Sequence, residues 1–266
     1  MAKRVLITGC SSGIGRALAV ELTTRGYEVI ATARKLDALD GLQVAQRLAL
    51  DVTSDTSVAD AVTAAGRVDV LVNNAGVGLW GPVEAVEIDT AERLFETNVF
   101  GPMRLQKAVL PQMRERRSGV IVQVSSVAGR TAGPLIGHYS ASKHALEAYS
   151  AALRIEVAGF GIKVANIELG AVESDFGRNR TMIDDAAYDA IIAHFKVRLA
   201  GNRTSAATSE VTARGIADVI DAGAPDLYVQ IDDVARGMIE SRMALTPAQW
   251  EAGLLQGLDV DAKVNA

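Results

Sequence analysis

Val5-Leu6-Ile7-Thr8-Gly9-Cys10-Ser11-Ser12-Gly13-Ile14-Gly15 is the stretch that decides the fold. A short apolar run enters a turn with glycines spaced Gly-x-x-x-Gly-x-Gly. A helical pattern leaves it, with Ile14, Ala17, Leu18 and Leu22 on one face and Gly26 at its end. Strand, glycine-rich turn and helix in succession build a phosphate cradle. Glycine lets the backbone approach a ligand, and the helix start presents free N–H groups and a partial positive charge. The spacing is not the Gly-x-Gly-x-x-Gly of the commonest dinucleotide fingerprint, and tight turns also use glycine for steric reasons alone. The flanking strand and helix favour a bound dinucleotide, with Gly9, Ser11, Ser12, Gly13, Ile14 and Gly15 as its contacts. Cys10 reads as a small residue that fits the turn rather than a redox centre.

Outward from this turn the chain alternates strand and helix. Tyr27–Ala33 is a second strand, ending at Arg34-Lys35. In a βαβ unit this strand end meets the adenosine ribose, where a carboxylate would bind the 2′-hydroxyl and repel a 2′-phosphate. Ala33 and Arg34 offer none, so NADP(H) is expected over NAD(H); the alternative is that Arg34 and Lys35 merely flank a loop. Arg47–Leu50 makes a third strand, leading into Asp51-Val52. Asp51 either accepts from an adenine amino group or begins the next turn, and Ser54 caps a helix running to about Ala65. Val68–Val72 is a buried strand stopped by Asn73-Asn74-Ala75-Gly76, and helices over Thr90–Asn98 and Pro102–Arg116 follow. Gly119–Ser126, Ile162–Gly170 and Leu227–Ile231 are the fifth to seventh strands, with a helix at Val234–Arg242. This rhythm predicts one domain with a three-layer, doubly wound parallel α/β sheet of about seven strands. A substrate-covering segment is expected over 175–224, and 257–266 lacks an apolar face and is expected to fray.

Ligands of open α/β sheets bind outside the carboxyl ends of the strands, so Asn73-Asn74 and Ser126 share a rim with the glycine turn. Beside them a helix begins near Tyr139, with Lys143 one turn along. Residues four apart lie on one helix face, so the ammonium should favour the phenolate and draw the Tyr139 pKa down from its free value of about 10. Such a phenol exchanges a proton with a carbonyl or alcohol oxygen. A Tyr and a Lys at this spacing also occur as a solvated surface pair; the surrounding motifs favour the chemical reading. His138 beside them reads as a loop residue.

The remaining features set limits. Net charge is −5, which argues against a nucleic-acid partner. A single cysteine permits no internal disulfide and points to a reducing compartment. The absence of a signal-like segment or an 18-residue apolar run predicts a cytoplasmic protein without a membrane span. No metal site is expected.

Thr8–Gly15, Asn73–Gly76, Asn98, Ser126, Tyr139 and Lys143 together resemble the short-chain dehydrogenase/reductase family, strongly over about Lys3 to Phe176. Cys10, Gly76–Leu79, Asn98–Gly101 and Gly133-Pro134 are similar to the branch containing 17β-hydroxysteroid and retinol dehydrogenases. The resemblance implies hydride transfer between NADP(H) and a carbonyl or alcohol, with Tyr139 as acid/base and Lys143 tuning it and binding the nicotinamide ribose. It further implies that Ser126 holds the substrate oxygen and that Asn98 supports a water relay. Asn74, Ala75, Gly76, Asp51, Val52, Val172 and Ser174 join Arg34, Tyr139, Lys143 and the glycine turn as cofactor contacts. Leu169-Gly170 stands where the family usually has Pro-Gly, and Ser174 where it has Thr. Leu79-Trp80, Leu135-Ile136, Ala171-Val172, Phe176 and Met182–Phe195 supply an apolar substrate lining, although the same side chains would also suit a core. Family likeness suggests a homodimer or homotetramer. Two rival readings are an NADP(H)-binding regulatory protein without turnover and an epimerase or dehydratase on a related fold.

Overall fold

The computed structural model describes residues 2–177, 180–202 and 206–258. Seven strands form one parallel sheet: β1 (Arg4–Ile7), β2 (Glu28–Ala33), β3 (Gln46–Ala49), β4 (Val70–Asn73), β6 (Gly119–Val124), β7 (Ile162–Ile167) and β11 (Tyr228–Val229). Four two-residue strands lie outside it: β5 (Leu79–Trp80), β8 (Val172–Glu173), β9 (Thr181–Met182) and β10 (Ala207–Thr208). The sheet order is β11-β7-β6-β4-β1-β2-β3. Winding therefore reverses between β1 and β4, and the crevice that opens there is where doubly wound sheets bind ligands.

The strands alternate sides at a period of two, and both sides are apolar. Val5, Ile7, Val29, Val72, Val122 and Ile167 face α1 (Gly13–Thr24) and α7 (Ser209–Asp221), which contribute Leu18, Leu22, Ile216 and Ile220. Leu6, Ile30, Leu71, Ile121 and Val164 face α2 (Asp55–Ala65), α4 (Gly101–Arg116) and α5 (Gly137–Val157). Ser54 caps α2 as expected, accepting a bond from the Ser57 N–H at 3.2 Å.

Several boundaries depart from the sequence reading. The helix α3 (Ile88–Phe95) does not end before α4; a π-turn at Glu96–Phe100 joins them, and its extra residue swings Asn98 inward. The segment 175–224 is not all cover, because α7 within it is a full member of one helical layer. The segment also contains the turn Asp175–Gly177, β9, the turn Ala186–Tyr188, α6 (Asp189–Asn202) and β10. His138 lies in the first turn of α5 rather than in a loop. After α8 (Asp233–Ala244), a further helix α9 (Pro247–Gln256) starts at a capping box of Thr246 and Gln249. Of the expected frayed tail, 259–266 lies outside the described residues. No described helix is long and apolar enough to cross a membrane.

Candidate active site

The glycine turn is held by its neighbour strand. The Asn74 side chain donates to the carbonyls of Thr8 at 2.9 Å and Gly9 at 3.1 Å, while Thr8 Oγ1 accepts from the N–H groups of Asn74 and Ala75. Asn74 thus fastens the turn. Gly15 packs so closely that a Cβ there would lie 2.3 Å from the Gly9 carbonyl oxygen. Gly9 and Gly13 both have positive φ, +74° and +54°. The start of α1 has no side-chain cap and no acidic residue in its first turn, whereas α2, α7, α8 and α9 are each capped by a side chain. Uncapped N–H groups above a glycine turn are what an anionic diphosphate requires, so these residues fit such a group. Cys10 is fully buried, and burial pushes its thiol up to about 12, which leaves it an inert core residue.

Arg34 is exposed at the end of β2. Asp51 is occupied locally, accepting from the N–H of Thr53 at 2.9 Å and its hydroxyl at 2.8 Å. That backbone bond is the main reason its carboxyl lies below the usual range, with the charges of Arg34 and Arg104 helping. Val52 packs on Gly101, where a Cβ would come within 2.8 Å of its side chain. Ser174, following β8, faces Gly13: a Cβ built on that glycine would be 3.3 Å from the serine Cβ. A cavity of about 540 Å³ opens beside Gly13 between α1 and α7, lined by Arg16, Ser174, Asp175, Ser209 and Arg214 among others; Tyr139 does not line it.

At the ends of β6 and α5 the remaining residues converge. Lys143 sits one turn beyond Tyr139, with Nζ 5.8 Å from the centre of the phenol ring, and donates to the carbonyl of Val124 at 2.8 Å. Ser126, two residues after that carbonyl, accepts from the Ala128 N–H at 3.2 Å, and its hydroxyl is near enough to Tyr139 to favour the phenolate. Asn98 is buried and bonded on both amide atoms. It donates to the Val77 carbonyl and to Ser142 Oγ at 2.9 and 3.2 Å, and accepts from the Val77 N–H at 2.9 Å. Its side chain is therefore a clamp on the Gly76–Gly78 loop.

The expected fall in the Tyr139 pKa is reversed. Burial pushes the phenol up to about 12, and the nearby Ser126 hydroxyl only partly offsets this. Desolvation also lowers Lys143 to about 8. The reason is enclosure. Phe176 packs against the half-buried Tyr139 with ring centres 5.9 Å apart, and Tyr139 and Ile183 both pack on the cluster of Leu79, Val86 and Leu94. The protein alone stores a neutral phenol, the form that donates a proton.

The segment that follows β8 reaches this site through its own contacts. Leu79 and Trp80 pair with Thr181 and Met182, Phe195 meets Trp80 edge-on at 5.5 Å, and the Arg180 guanidinium lies 3.7 Å above the Trp80 ring. Leu135, at φ +64°, is buried. Of the expected apolar lining, Phe176 touches the Tyr139 ring, and Leu79 and Ile183 belong to the apolar cluster on which Tyr139 packs. Sequence reading missed two buried carboxyl groups behind it, Glu147 and Glu168. Glu147 was marked by its position, a charge four residues after Lys143 among alanines and leucine.

A family model described as short chain dehydrogenase matches residues 3–183. Human retinol dehydrogenase 8 is 44% identical over 187 residues, covering 65% of this chain and 60% of that protein. Mouse 17-beta-hydroxysteroid dehydrogenase type 1 is 44% identical over 188 residues, covering 65% and 55%. These matches span less than two thirds of either relative. A crystal structure of a short-chain dehydrogenase from Streptomyces avermitilis superposes with TM-score 0.82 at 34% identity, covering 98% of both chains.

Proposed function

Because the chain belongs to the short-chain dehydrogenase family, we propose that it interconverts a hydrophobic carbonyl compound and its alcohol, with NADP(H) as preferred cofactor and Tyr139 as acid/base. The observation that carries this reading is the convergence of Ser126, Tyr139 and Lys143 at the strand rim that also bears the glycine turn. The dinucleotide, when bound, supplies or accepts the hydride. The uncapped start of α1 with Ser11, Ser12, Gly13, Ile14 and Gly15 would hold its diphosphate, Ser174 would lie beside that group, and Arg34 would face a 2′-phosphate. Ala75 and Gly76, on the loop clamped by Thr8 and Asn98, would border the dinucleotide.

In reduction Tyr139 gives its phenolic proton to the substrate oxygen as negative charge develops there. Ser126 donates a hydrogen bond to the same oxygen and steadies it. Lys143 stabilises the phenolate left behind, and its anchor on the Val124 carbonyl fixes where that charge stands. Phe176 and its neighbours exclude water. In oxidation the steps reverse. Leu79, Trp80, Leu135, Phe176 and Ile183 favour an apolar ketone, aldehyde or steroid-like substrate. A homodimer or homotetramer in the cytoplasm completes the reading, and light scattering tests the assembly.

The deciding experiment follows NADPH absorbance across a panel of ketones, aldehydes, steroids and quinones, with Tyr139→Phe beside the wild type. Turnover that collapses in the variant supports the enzyme. NADPH binding without turnover on any substrate supports a regulatory binding protein instead.

A further inference from the structure

Behind the catalytic helix lies a polar group that the proposed reaction does not use. Glu147 sits one turn beyond Lys143 on the buried face of α5, and Glu168 directly follows β7; both are almost wholly enclosed, at 3% and 0% exposure. The Ser125 hydroxyl donates to Glu147 Oε1 at 2.6 Å, and Gln230 donates to Glu168 Oε2. Glu168 is near enough to Glu147 for its charge to oppose ionisation of the Glu147 carboxyl. Among the described residues no hydrogen-bond donor reaches Glu147 Oε2 or Glu168 Oε1; the Arg130 guanidinium stands 3.6 Å from Glu168 Oε1 and is itself stacked 4.3 Å over the Tyr228 ring. Gly129 closes the remaining side, since a Cβ there would lie 2.1 Å from Glu147 Oε1.

Two neighbouring carboxylates away from water cannot both remain charged without donors for their oxygens. A proton between them supplies the missing donor. We propose that Glu147 and Glu168 form a proton-sharing pair that positions charge for Lys143: it holds one proton at neutral pH and releases it in alkali, leaving a carboxylate one helical turn from the ammonium. The first half of this proposal stands on the buried geometry, and the second rests on the oxidoreductase reading above.

The charged and titratable groups facing Glu147 are Lys143 on α5, Glu168 after β7, and Arg130 after the turn Val127–Gly129. Burial is the main cause that moves Glu147 up to about 8, the Glu168 charge adds to it, and Ser125 and Arg130 oppose it. Lys143 lies in the same range, and the Glu147 charge favours its protonated form. The two groups are therefore linked. As pH rises, ionisation of the pair delays proton loss from the ammonium, which lengthens the range over which Lys143 can stabilise a Tyr139 phenolate.

Linkage gives a test on the intact protein without cofactor or substrate. A carboxyl raised in the folded state favours folding below its unfolded value and loses that contribution as pH rises through the folded one. Each proton so held changes the folding equilibrium by about tenfold per pH unit, here across the interval from the ordinary carboxyl range to about 8. Glu147→Gln keeps an acceptor for Ser125 and offers an N–H to Glu168, so its unfolding should lose one proton's worth of that slope. Infrared spectra of the wild type at neutral pH should show a protonated-carboxyl stretch that vanishes in alkali and is absent from Glu147→Gln. A missing band, or equal slopes in the two proteins, overturns the shared proton. Should Glu147→Gln fail to fold, Glu168→Gln supplies the same comparison. For the second half, the alkaline fall of kcat should move to lower pH in Glu147→Gln with KM for NADPH little changed, and an unmoved limb overturns the link to Lys143. A wild type without turnover on the substrate panel would instead sink the oxidoreductase reading, leaving the infrared and unfolding comparisons to judge the pair.

Discussion

Gly15→Ala is the sharpest probe of how the nucleotide cradle is built. The added Cβ would stand 2.3 Å from the Gly9 carbonyl oxygen and 2.4 Å from Asn74 Nδ2, where real contacts stop at 3.0 Å. The Gly9 carbonyl must therefore retreat by at least ~0.7 Å, and a backbone turn between a strand and a helix has no rotamer with which to absorb this. The movement breaks the bonds from Asn74 to Thr8 and Gly9, worth about 1 kcal/mol each. Overpacking adds about 1–3 kcal/mol, and the better helix propensity of alanine returns at most about 1 kcal/mol. The net loss is about 2–4 kcal/mol, or about 5–15 °C in Tm for a domain of this size. Urea unfolding should show a lower midpoint at unchanged slope, and NADPH binding should weaken in the folded fraction because the turn has shifted. Gly253→Ala is the control: it lies exposed in α9 with nothing within 4 Å of its built Cβ, so stability should hold or rise slightly. A Gly15→Ala protein with the wild-type midpoint and the wild-type NADPH affinity would refute this account of the turn.

Three further outcomes follow from the same geometry. Tyr139→Phe removes the proton donor but keeps the ring against Phe176, so kcat should fall by about 10²–10⁴ while NADPH still binds; wild-type turnover would exclude Tyr139 as the acid. Arg34→Glu replaces a cation at the β2 end with the carboxylate that sequence reading found missing there, and should weaken NADPH relative to NADH by about tenfold or more, read by competitive titration of the two cofactors. Cys10 should resist a thiol reagent in the native protein and react on unfolding, since burial both encloses it and raises its thiol to about 12; rapid native labelling would show that the turn opens.

What could be read from sequence was whatever a local pattern fixes. The Val5–Gly15 turn, the apolar strands and the Ser54 cap are set by neighbouring residues, and the structure has them where that chemistry requires. The π-turn at Glu96–Phe100 was not legible, because the partners that draw Asn98 inward, the Val77 backbone and the Ser142 hydroxyl, lie far away in sequence. The helix α7 escaped notice because its apolar residues find their complement on α1 and the sheet, far away in sequence. The protonation of Tyr139 was misjudged for a related reason. Spacing along one helix puts Lys143 near the phenol, but the enclosure that opposes ionisation comes from Phe176, Leu79 and Ile183, on separate segments.

That enclosure explains why the site needs so many fixed donors. A phenol surrounded by apolar groups is a poor acid until something offsets the cost of its anion. Here the compensation is divided among rigid parts: the Ser126 hydroxyl at a strand end, the Lys143 ammonium braced on Val124, and an α5 seated against the sheet by the bond from Ser125 to Glu147. Each support belongs to β6 or to the helix packed on it, so Tyr139 and its stabilisers are held by one joint. Loosening that joint should cost catalysis before it costs the fold, because the sheet is secured elsewhere by both apolar layers.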